Sequence, residues 1–231
     1  MLFSIVSEEE LTSSPRWNVE SFLLVKDICS THSDFEMTAL YNLVTLRKES
    51  INPFDFPEKK YNYIGLENIS QNDGELIGDI KKVGFDIKSR SRVFYSGDVL
   101  YGKLRPNLNK CLLVDKDIDG ICSSEIIVLI PNLKLINPVY LRELLLSKYV
   151  SEHVMSMTSG ATLPRLNVQE FLELKVPFPP LNMQVEISNR LLRKREIINS
   201  YEDKINKLKK TISLEFNAFI EKKIINDETD M

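Results

Sequence analysis

The sequence predicts an α+β protein in two parts: a domain over residues 1–180, built on a twisted β-sheet with short helices, and one long C-terminal helix over residues 181–231. Two observations carry this prediction. Up to about residue 130, short apolar runs alternate with turn residues at intervals of about eight to twelve, which is typical of a twisted or barrel-like sheet rather than a doubly wound parallel one. From residue 181 the apolar period becomes seven, which is typical of a coiled-coil helix.

The predicted elements of the first half are strands, loops and turns. Alternation of apolar and polar residues indicates strands, the prolines at 53 and 57 favour an extended loop, and Asn-Asp-Gly is a strong turn signal. In chain order the predictions are a loose arm over 1–15, a strand over 16–25, a strand or helix over 41–46, a loop over 52–57, a strand over 61–69 and a turn over 71–74.

The predicted elements of the second half begin with strands and end with helices. Proline is favoured in the first turn of a helix, and Asn is a favoured helix cap. In order they are strands over 92–95 and 98–101 joined by Ser96-Gly97, buried runs over 111–114 and 125–130, a helix of about three turns from Pro138, a polar loop over 156–167, a short helix over 168–172 capped by Asn167, and an extended run over 174–180 ending in two prolines.

The long helix carries an apolar stripe, here called the helix seam, at the a and d positions of a heptad repeat. About 40 residues make a rod of roughly 60 Å, longer than the preceding domain can cover, so we expect the seam to bind another chain. A second interpretation remains, in which the helix folds back on its own domain, because Lys194 and Glu215 interrupt the stripe at d positions. The seam residues are Leu191, Ile198, Tyr201, Ile205, Leu208, Ile212 and Phe219.

The overall charge is slightly negative, and one segment departs from it. The formal net charge is −3 and the pI about 5.6, so the whole chain offers no positive field to a polyanion. Residues 81–110, however, hold eight basic and two acidic side chains, a local excess of +6. Any site for a polyanion is therefore expected to be local.

Several classes of site find little support in the sequence. Cys29, Cys111 and Cys122 are widely spaced, which argues against a disulfide framework or a thiolate metal site. The histidines, His32 and His153, have no metal-binding spacing, so neither a catalytic site nor a bound metal is expected. The absence of a signal peptide and of a long apolar run favours a cytoplasmic protein.

Two polar segments offer the chemistry of nucleic-acid recognition. Lys and Arg contact phosphates, Arg reads guanine and Asn reads adenine, and the turn over 102–110 combines all three types. The loop over 159–165 adds hydroxyls and another Arg. Ordinary solvated turns remain the alternative. The predicted DNA-binding residues are Arg90, Arg92, Lys103, Arg105, Asn107, Asn109, Lys110, Ser159, Thr162 and Arg165.

Five segments in a fixed order, followed by the long helix, resemble the specificity subunit of Type I restriction-modification systems. Each motif alone is weak, but the ordered set covers nearly the whole chain. The segments are Tyr-Ile-Gly-Leu-Glu-Asn-Ile at 63–69, Gly-Asp-Val-Leu-Tyr-Gly-Lys-Leu-Arg-Pro at 97–106, Ser-Ser-Glu-Ile-Ile-Val-Leu at 123–129, Gly-Ala-Thr-Leu-Pro-Arg-Leu-Asn at 160–167 and Val-Pro-Phe-Pro-Pro-Leu-Asn-Met-Gln-Val-Glu-Ile at 176–187.

The resemblance implies a non-catalytic target recognition domain that binds one half of a bipartite site in double-stranded DNA. It implies a helix that spaces the domains and docks methyltransferase subunits, with a restriction subunit in the full complex. S-adenosylmethionine, ATP and Mg would belong to those partners. Full specificity subunits resemble two such units in tandem, so this chain resembles a half subunit and is expected to form a homodimer.

Two other functions remain open at the level of sequence. A dimerising decoy or regulator would occupy the methyltransferase docking surface without reading DNA, and the acidic pI favours it slightly. A nuclease would need a metal cluster. Only the Glu-Leu-Lys run at 173–175 resembles part of a metal-nuclease signature.

Overall fold

The structure, a computed structural model, describes residues 35–159 and 163–229, and only the backbone of Ser156, Ser159 and 221–229. The chain divides into two compact units between Val185 and Glu186. The predicted arm over 1–15 and strand over 16–25 lie outside the described residues. The predicted boundary at 180/181 coincides with the start of the last helix.

The helices of the described residues are mostly short and end at identifiable caps. Pro138 is the first residue of its helix, as predicted, and the Asn137 side chain accepts a hydrogen bond from the Val139 amide at 2.9 Å. That helix stops after Leu146, where Ser147 caps a further one. In order the helices are α1 (Leu40–Leu43), α2 (Pro138–Leu146), α3 (Lys148–Ser156), α4 (Val168–Glu173) and α5 (Leu181–Thr229).

The strands are short, and several are joined by single turns of 3-10 helix. Those turns cover Pro53–Asp55, Leu66–Asn68, Gly84–Asp86 and Pro106–Leu108. The strands are β1 (Met37–Ala39), β2 (Val44–Leu46), β3 (Ser50–Ile51), β4 (Lys60–Ile64), β5 (Lys81–Val83), β6 (Ser91–Phe94), β7 (Val99–Gly102), β8 (Cys111–Leu113), β9 (Gly120–Cys122), β10 (Ile126–Pro131), β11 (Thr158–Ser159), β12 (Arg165–Leu166) and β13 (Lys175–Pro177).

In the part of the chain that the structure describes, two larger sheets hold most of these strands. One has the order β2-β10-β7-β8 and the other β3-β6-β9-β4-β5. Their pairs are antiparallel except β4 with β9. Strands β6 and β7, predicted as neighbours in sequence, belong to different sheets, because the Ser96-Gly97 turn carries the chain from one sheet to the other.

Alternation along the strands separates the core into layers. In β10, Ile127 and Leu129 contribute to a cluster with the helices α1 to α4, whereas Ile126 and Val128 contribute to a cluster between the two sheets. Because both faces of the four-stranded sheet are covered, its strands are apolar on both sides. A smaller cluster around Tyr61 lies on the other face of the five-stranded sheet.

The predicted elements agree with the structure in type more often than in extent. The run over 41–46 is both helix and strand, since α1 leads directly into β2. The strand predicted over 61–69 ends at Ile64, where a 3-10 turn follows. The short helix over 168–172 and its cap are confirmed, because the Asn167 side chain accepts from the Gln169 amide at 3.0 Å. The predicted α+β class with a long C-terminal helix is also confirmed.

Helix α5 begins directly after the double proline, as predicted, and is continuous over 49 residues. Its first residues, up to Val185, belong to the first unit, and the remainder forms the second unit. Among the helices that the structure describes, none combines the length and the apolar composition that a bilayer crossing requires.

Candidate nucleic-acid interface

Backbone hydrogen bonds join the two loops that were predicted separately from the sequence. Beyond β7, the Lys103 carbonyl accepts from the Leu166 amide at 2.9 Å, and the Arg105 amide donates to the Pro164 carbonyl at 2.8 Å. Leu104 and Arg165 form a β-bridge between these two bonds. The turn over 102–110 and the strand β12 therefore make one surface, here called the loop junction.

Arg105 occupies a backbone conformation that non-glycine residues rarely adopt. Its φ and ψ are 51° and 59°, in the left-handed region, which costs an L-residue with a Cβ roughly 1–2 kcal/mol. The bond to Pro164 and the 3-10 turn that begins at Pro106 hold it there. Strained backbone of this kind is concentrated at functional sites, so the conformation makes Arg105 a candidate functional residue.

The side chains of the loop junction fall into an outward and an inward set. Arg105, Asn107 and Arg165 are exposed, and Lys103 is half-buried. These four side chains offer a point charge, two guanidinium groups and an amide along one hydrogen-bonded framework. That composition can contact phosphates and read base edges.

Arg165 forms an ion pair with Glu125. The Nε and Nη2 atoms of Arg165 each lie 3.3 Å from a carboxylate oxygen of Glu125. The backbone carbonyl of Glu125 also accepts a hydrogen bond from the Lys103 amide at 2.9 Å. Sequence reasoning missed Glu125, although it lies in the segment over 123–129. Its carboxylate both orients Arg165 and reduces the local positive charge.

Asn109 and Lys110 point inward. Asn109 is buried and its side-chain amide donates a hydrogen bond to the Leu146 carbonyl at 2.8 Å, while its Oδ1 has no hydrogen-bond partner among the described residues. The Lys110 Nζ donates to the Leu66 carbonyl at 2.5 Å, and burial lowers the pKa of this lysine. Both side chains fix the turn from within. Their predicted contact with DNA stays a prediction and is not supported by this arrangement.

Arg90 lies just before β6 and Arg92 lies within it, on the five-stranded sheet. The Arg92 guanidinium donates to the Lys48 carbonyl at 2.9 Å, and Arg90 Nε donates to the Ser50 hydroxyl at 2.9 Å. A guanidinium has five donor hydrogens, so each retains donors for a phosphate. These two belong to a different sheet from the loop junction.

The remaining predicted contacts are described only in part. Ser159 pairs through its backbone with Arg165 in the β11–β12 ladder. Thr162 lies outside the described residues. The predicted contacts of both hydroxyls with DNA stay predictions.

The helix seam is exposed within the second unit. Tyr201, Ile205, Leu208, Ile212 and Phe219 are 49% to 66% exposed, and Leu191 and Ile198 are half-buried. Exposed apolar surface on this scale marks an interaction site. Within the described ranges no group of three or more His, Cys, Asp or Glu side chains converges, and the expectation of no bound metal stays a prediction.

The basic side chains of the loop junction are suited to nucleic acid, and the exposed helix seam is suited to another chain. The comparison with known families agrees. Residues 33–210 match the family described as Type I restriction modification DNA specificity domain. Since this match covers most of the chain, the chain belongs to that family. The family description agrees with a recognition subunit rather than an enzyme.

Individual relatives show the same relationship. The chain is 25% identical over 182 residues to the Type I restriction enzyme EcoDI specificity subunit of Escherichia coli, covering 79% of this chain and 38% of that one. It is 26% identical over 174 residues to the HindI specificity subunit of Haemophilus influenzae, covering 74% and 32%. The chain therefore spans about a third to two fifths of the length of these relatives.

A solved structure supports the fold. The HsdS subunit from Thermoanaerobacter tengcongensis is similar with a TM-score of 0.63 and 25% identity, over 72% of this chain and 43% of that one. The S subunit from M. genitalium matches with a TM-score of 0.51 at 18% identity, over 72% and 40%, which bears on the fold alone.

Proposed function

We propose that this chain is a non-catalytic DNA-recognition subunit that binds one half of a bipartite site. The observation that carries the proposal is the loop junction, where one backbone ladder presents Lys103, Arg105 and Arg165 together. Membership of the specificity-domain family supports it. A function on DNA also agrees with the cytoplasmic location expected from the sequence.

Each outward side chain of the junction has a proposed role. Arg105 and Asn107 read base edges, because both are exposed at the 3-10 turn and carry bidentate groups. Lys103 contacts phosphate. Arg165 binds either a phosphate or a base edge in the orientation that Glu125 gives it, and Arg90 and Arg92 add phosphate contacts.

We further propose that the chain acts as a homodimer whose two copies pair through the helix seam. The seam residues support this, because their apolar side chains are exposed within the second unit. A two-fold axis places the same recognition unit at both ends of a rod of roughly 60 Å, against ~34 Å per turn of duplex. The site read is then an interrupted palindrome with half-sites between one and two turns apart.

The proposed partners are double-stranded DNA, methyltransferase subunits and, in the full complex, a restriction subunit. Methylation and cleavage reside in those partners, which bind S-adenosylmethionine, ATP and Mg. A second candidate function is a decoy that occupies the methyltransferase docking surface without reading DNA. The net charge of −3 favours it, because DNA repels an acidic chain.

An electrophoretic mobility shift assay with and without the methyltransferase subunit tests the proposal. A recognition subunit creates sequence-specific binding, whereas a decoy lowers it. Arg105→Ala is expected to weaken specific binding about 10- to 100-fold, since one bidentate contact contributes roughly 1–3 kcal/mol. Lys134→Ala removes an exposed charge far along the chain from the junction and serves as the control. Equal binding by both variants would contradict the proposed role of the junction.

A further inference from the structure

The charged residues beside the helix seam favour one arrangement of two copies. Glu202, Lys204 and Lys209 are exposed and occupy the e and g positions that flank the seam. In the antiparallel pair that the homodimer requires, we propose that Ile205 packs against the partner's Leu208. In this register Glu202 of each copy meets the partner's Lys209. The inference rests on the homodimer proposed above and adds the register of its two helices.

The core layers of this register are apolar at the centre. An a position packs against a d position of the other chain, so Ile205 lies against the partner's Leu208 and Tyr201 against the partner's Ile212. The two-fold axis repeats both layers. All four side chains are about half to two thirds exposed in the single chain, so pairing would remove a large apolar area from water.

The core alone does not choose the register, but the flanking charges do. A slide of one heptad in either direction also gives apolar central layers. A shift in one direction brings Glu202 against the partner's Glu202 and Lys204 against the partner's Lys204. A shift in the opposite direction brings Lys209 against the partner's Lys209. In the proposed register Lys204 faces the partner's uncharged Thr211. Like charges in such positions destabilise a coiled coil.

The same charges disfavour a parallel pair. In a parallel coiled coil a g position faces the e position of the next heptad on the other chain. Lys204 would then face the partner's Lys209 on both sides of the interface. The antiparallel pair replaces these two repulsive contacts with two attractive ones between Glu202 and the partner's Lys209.

The register also fixes the distance between the points where the two second units begin. Its axis passes between Asn206 and Lys207, close to the middle of α5, so the helices overlap over nearly their whole length. The two Glu186 residues, where the second unit of each chain begins, are then roughly 60 Å apart along the helices at 1.5 Å per residue.

Charge reversal of the flanking pair tests direction and register. In the full-length chain at about 50 mM salt, where screening is weak, sedimentation equilibrium is expected to show about tenfold weaker self-association for Glu202→Lys and for Lys209→Glu. The double variant is expected to return to the wild-type dissociation constant. Equimolar single variants are expected to form the mixed dimer in preference to either homodimer.

Lys210→Glu is the matched control. It makes the same charge change at an f position, away from the partner, and is expected to alter self-association less than twofold. The decisive variant is Lys209→Glu, because it weakens the proposed dimer but would strengthen a parallel one. Strengthening by this variant, or failure of the double variant to restore pairing, would overturn the inference.

Cysteine cross-linking tests the same register by geometry. In a Cys29→Ser background, a mixture of Ile205→Cys and Leu208→Cys chains is expected to form a disulfide between them. Ile205→Cys alone would cross-link only in a parallel pair. Cys111 and Cys122 are not expected to compete, because both are buried, and burial raises the pKa of each thiol, that of Cys122 to about 12.

These outcomes separate the inference from the proposed function. A wild-type chain that stays monomeric at all concentrations contradicts the homodimer itself. A dimer that cross-links through Ile205→Cys alone contradicts the register and the placement of one recognition unit at each end of the rod, but leaves pairing through the helix seam intact. Binding of DNA is measured independently of both, through Arg105→Ala.

Discussion

The two units of this chain treat their apolar residues in opposite ways. In the first unit, Leu141 and Phe171 are completely buried within a cluster shared by the four-stranded sheet and the helices. In the second unit, Leu208 and Ile212 are about two thirds exposed. One unit is organised around its own core, whereas the other is a continuous helix whose apolar stripe has no cover among the described residues of that unit.

This difference indicates which part of the molecule depends on another chain for its stability. A helix gains most of its stability from packing of its apolar face rather than from intrinsic propensity. The first unit supplies that packing internally, so we expect it to unfold in a transition independent of concentration. The second unit is expected to gain stability as the chain concentration rises, because pairing and folding are linked.

The largest expected effect comes from truncating a core aromatic side chain. Phe171 stacks on Tyr101 with ring centroids 4.7 Å apart. Phe171→Ala is expected to lower the free energy of unfolding of the first unit by about 3–5 kcal/mol, because it leaves a cavity. Denaturant unfolding followed by near-UV circular dichroism measures it.

Phe216→Ala is the matched control, since Phe216 lies in the second unit and is 63% exposed. It is expected to leave the first transition unchanged. Equal effects of the two substitutions would contradict the difference between the units.

An intermediate effect is expected on self-association. Leu208→Asp places a charge in the middle of the helix seam in both copies and is expected to weaken the dimer at least about 100-fold, because a buried unpaired charge is strongly unfavourable. Size-exclusion chromatography with light scattering measures the mass. Leu214→Asp is the control. Leu214 is as exposed as Leu208, at 60% against 64%, but lies at a c position away from the seam.

The smallest expected effect is on the strained turn of the loop junction. Arg105→Gly is expected to raise the free energy of unfolding by about 1 kcal/mol relative to Arg105→Ala, because glycine adopts the left-handed conformation without the steric penalty of a Cβ. Both substitutions are expected to weaken DNA binding alike. Thermal unfolding and a mobility shift assay on the same samples separate the two properties. A less stable glycine variant would show that the turn is not strained.

Several of the strands, the cap of α4 and the heptad stripe follow from the sequence alone, for local reasons. Asn167 caps α4 because its side chain reaches its own backbone two residues on, and the double proline before Leu181 fixes where α5 begins. A period of seven defines the seam without reference to any fold. Each of these depends on residues close together in the chain, which is why sequence pattern predicts them.

Only the tertiary structure decided which loops meet and which side chains reach solvent. Leu104 and Arg165 are far apart in sequence, and the bridge between them depends on how β7, β10 and β12 pack together. The same packing turns Asn109 towards Leu146 and Lys110 towards Leu66, although both looked like surface residues of a basic turn. It also sets Glu125 against Arg165. Long-range pairing leaves little local signal in the chain, so charge and spacing could locate the basic segment but could not sort its outward side chains from its inward ones.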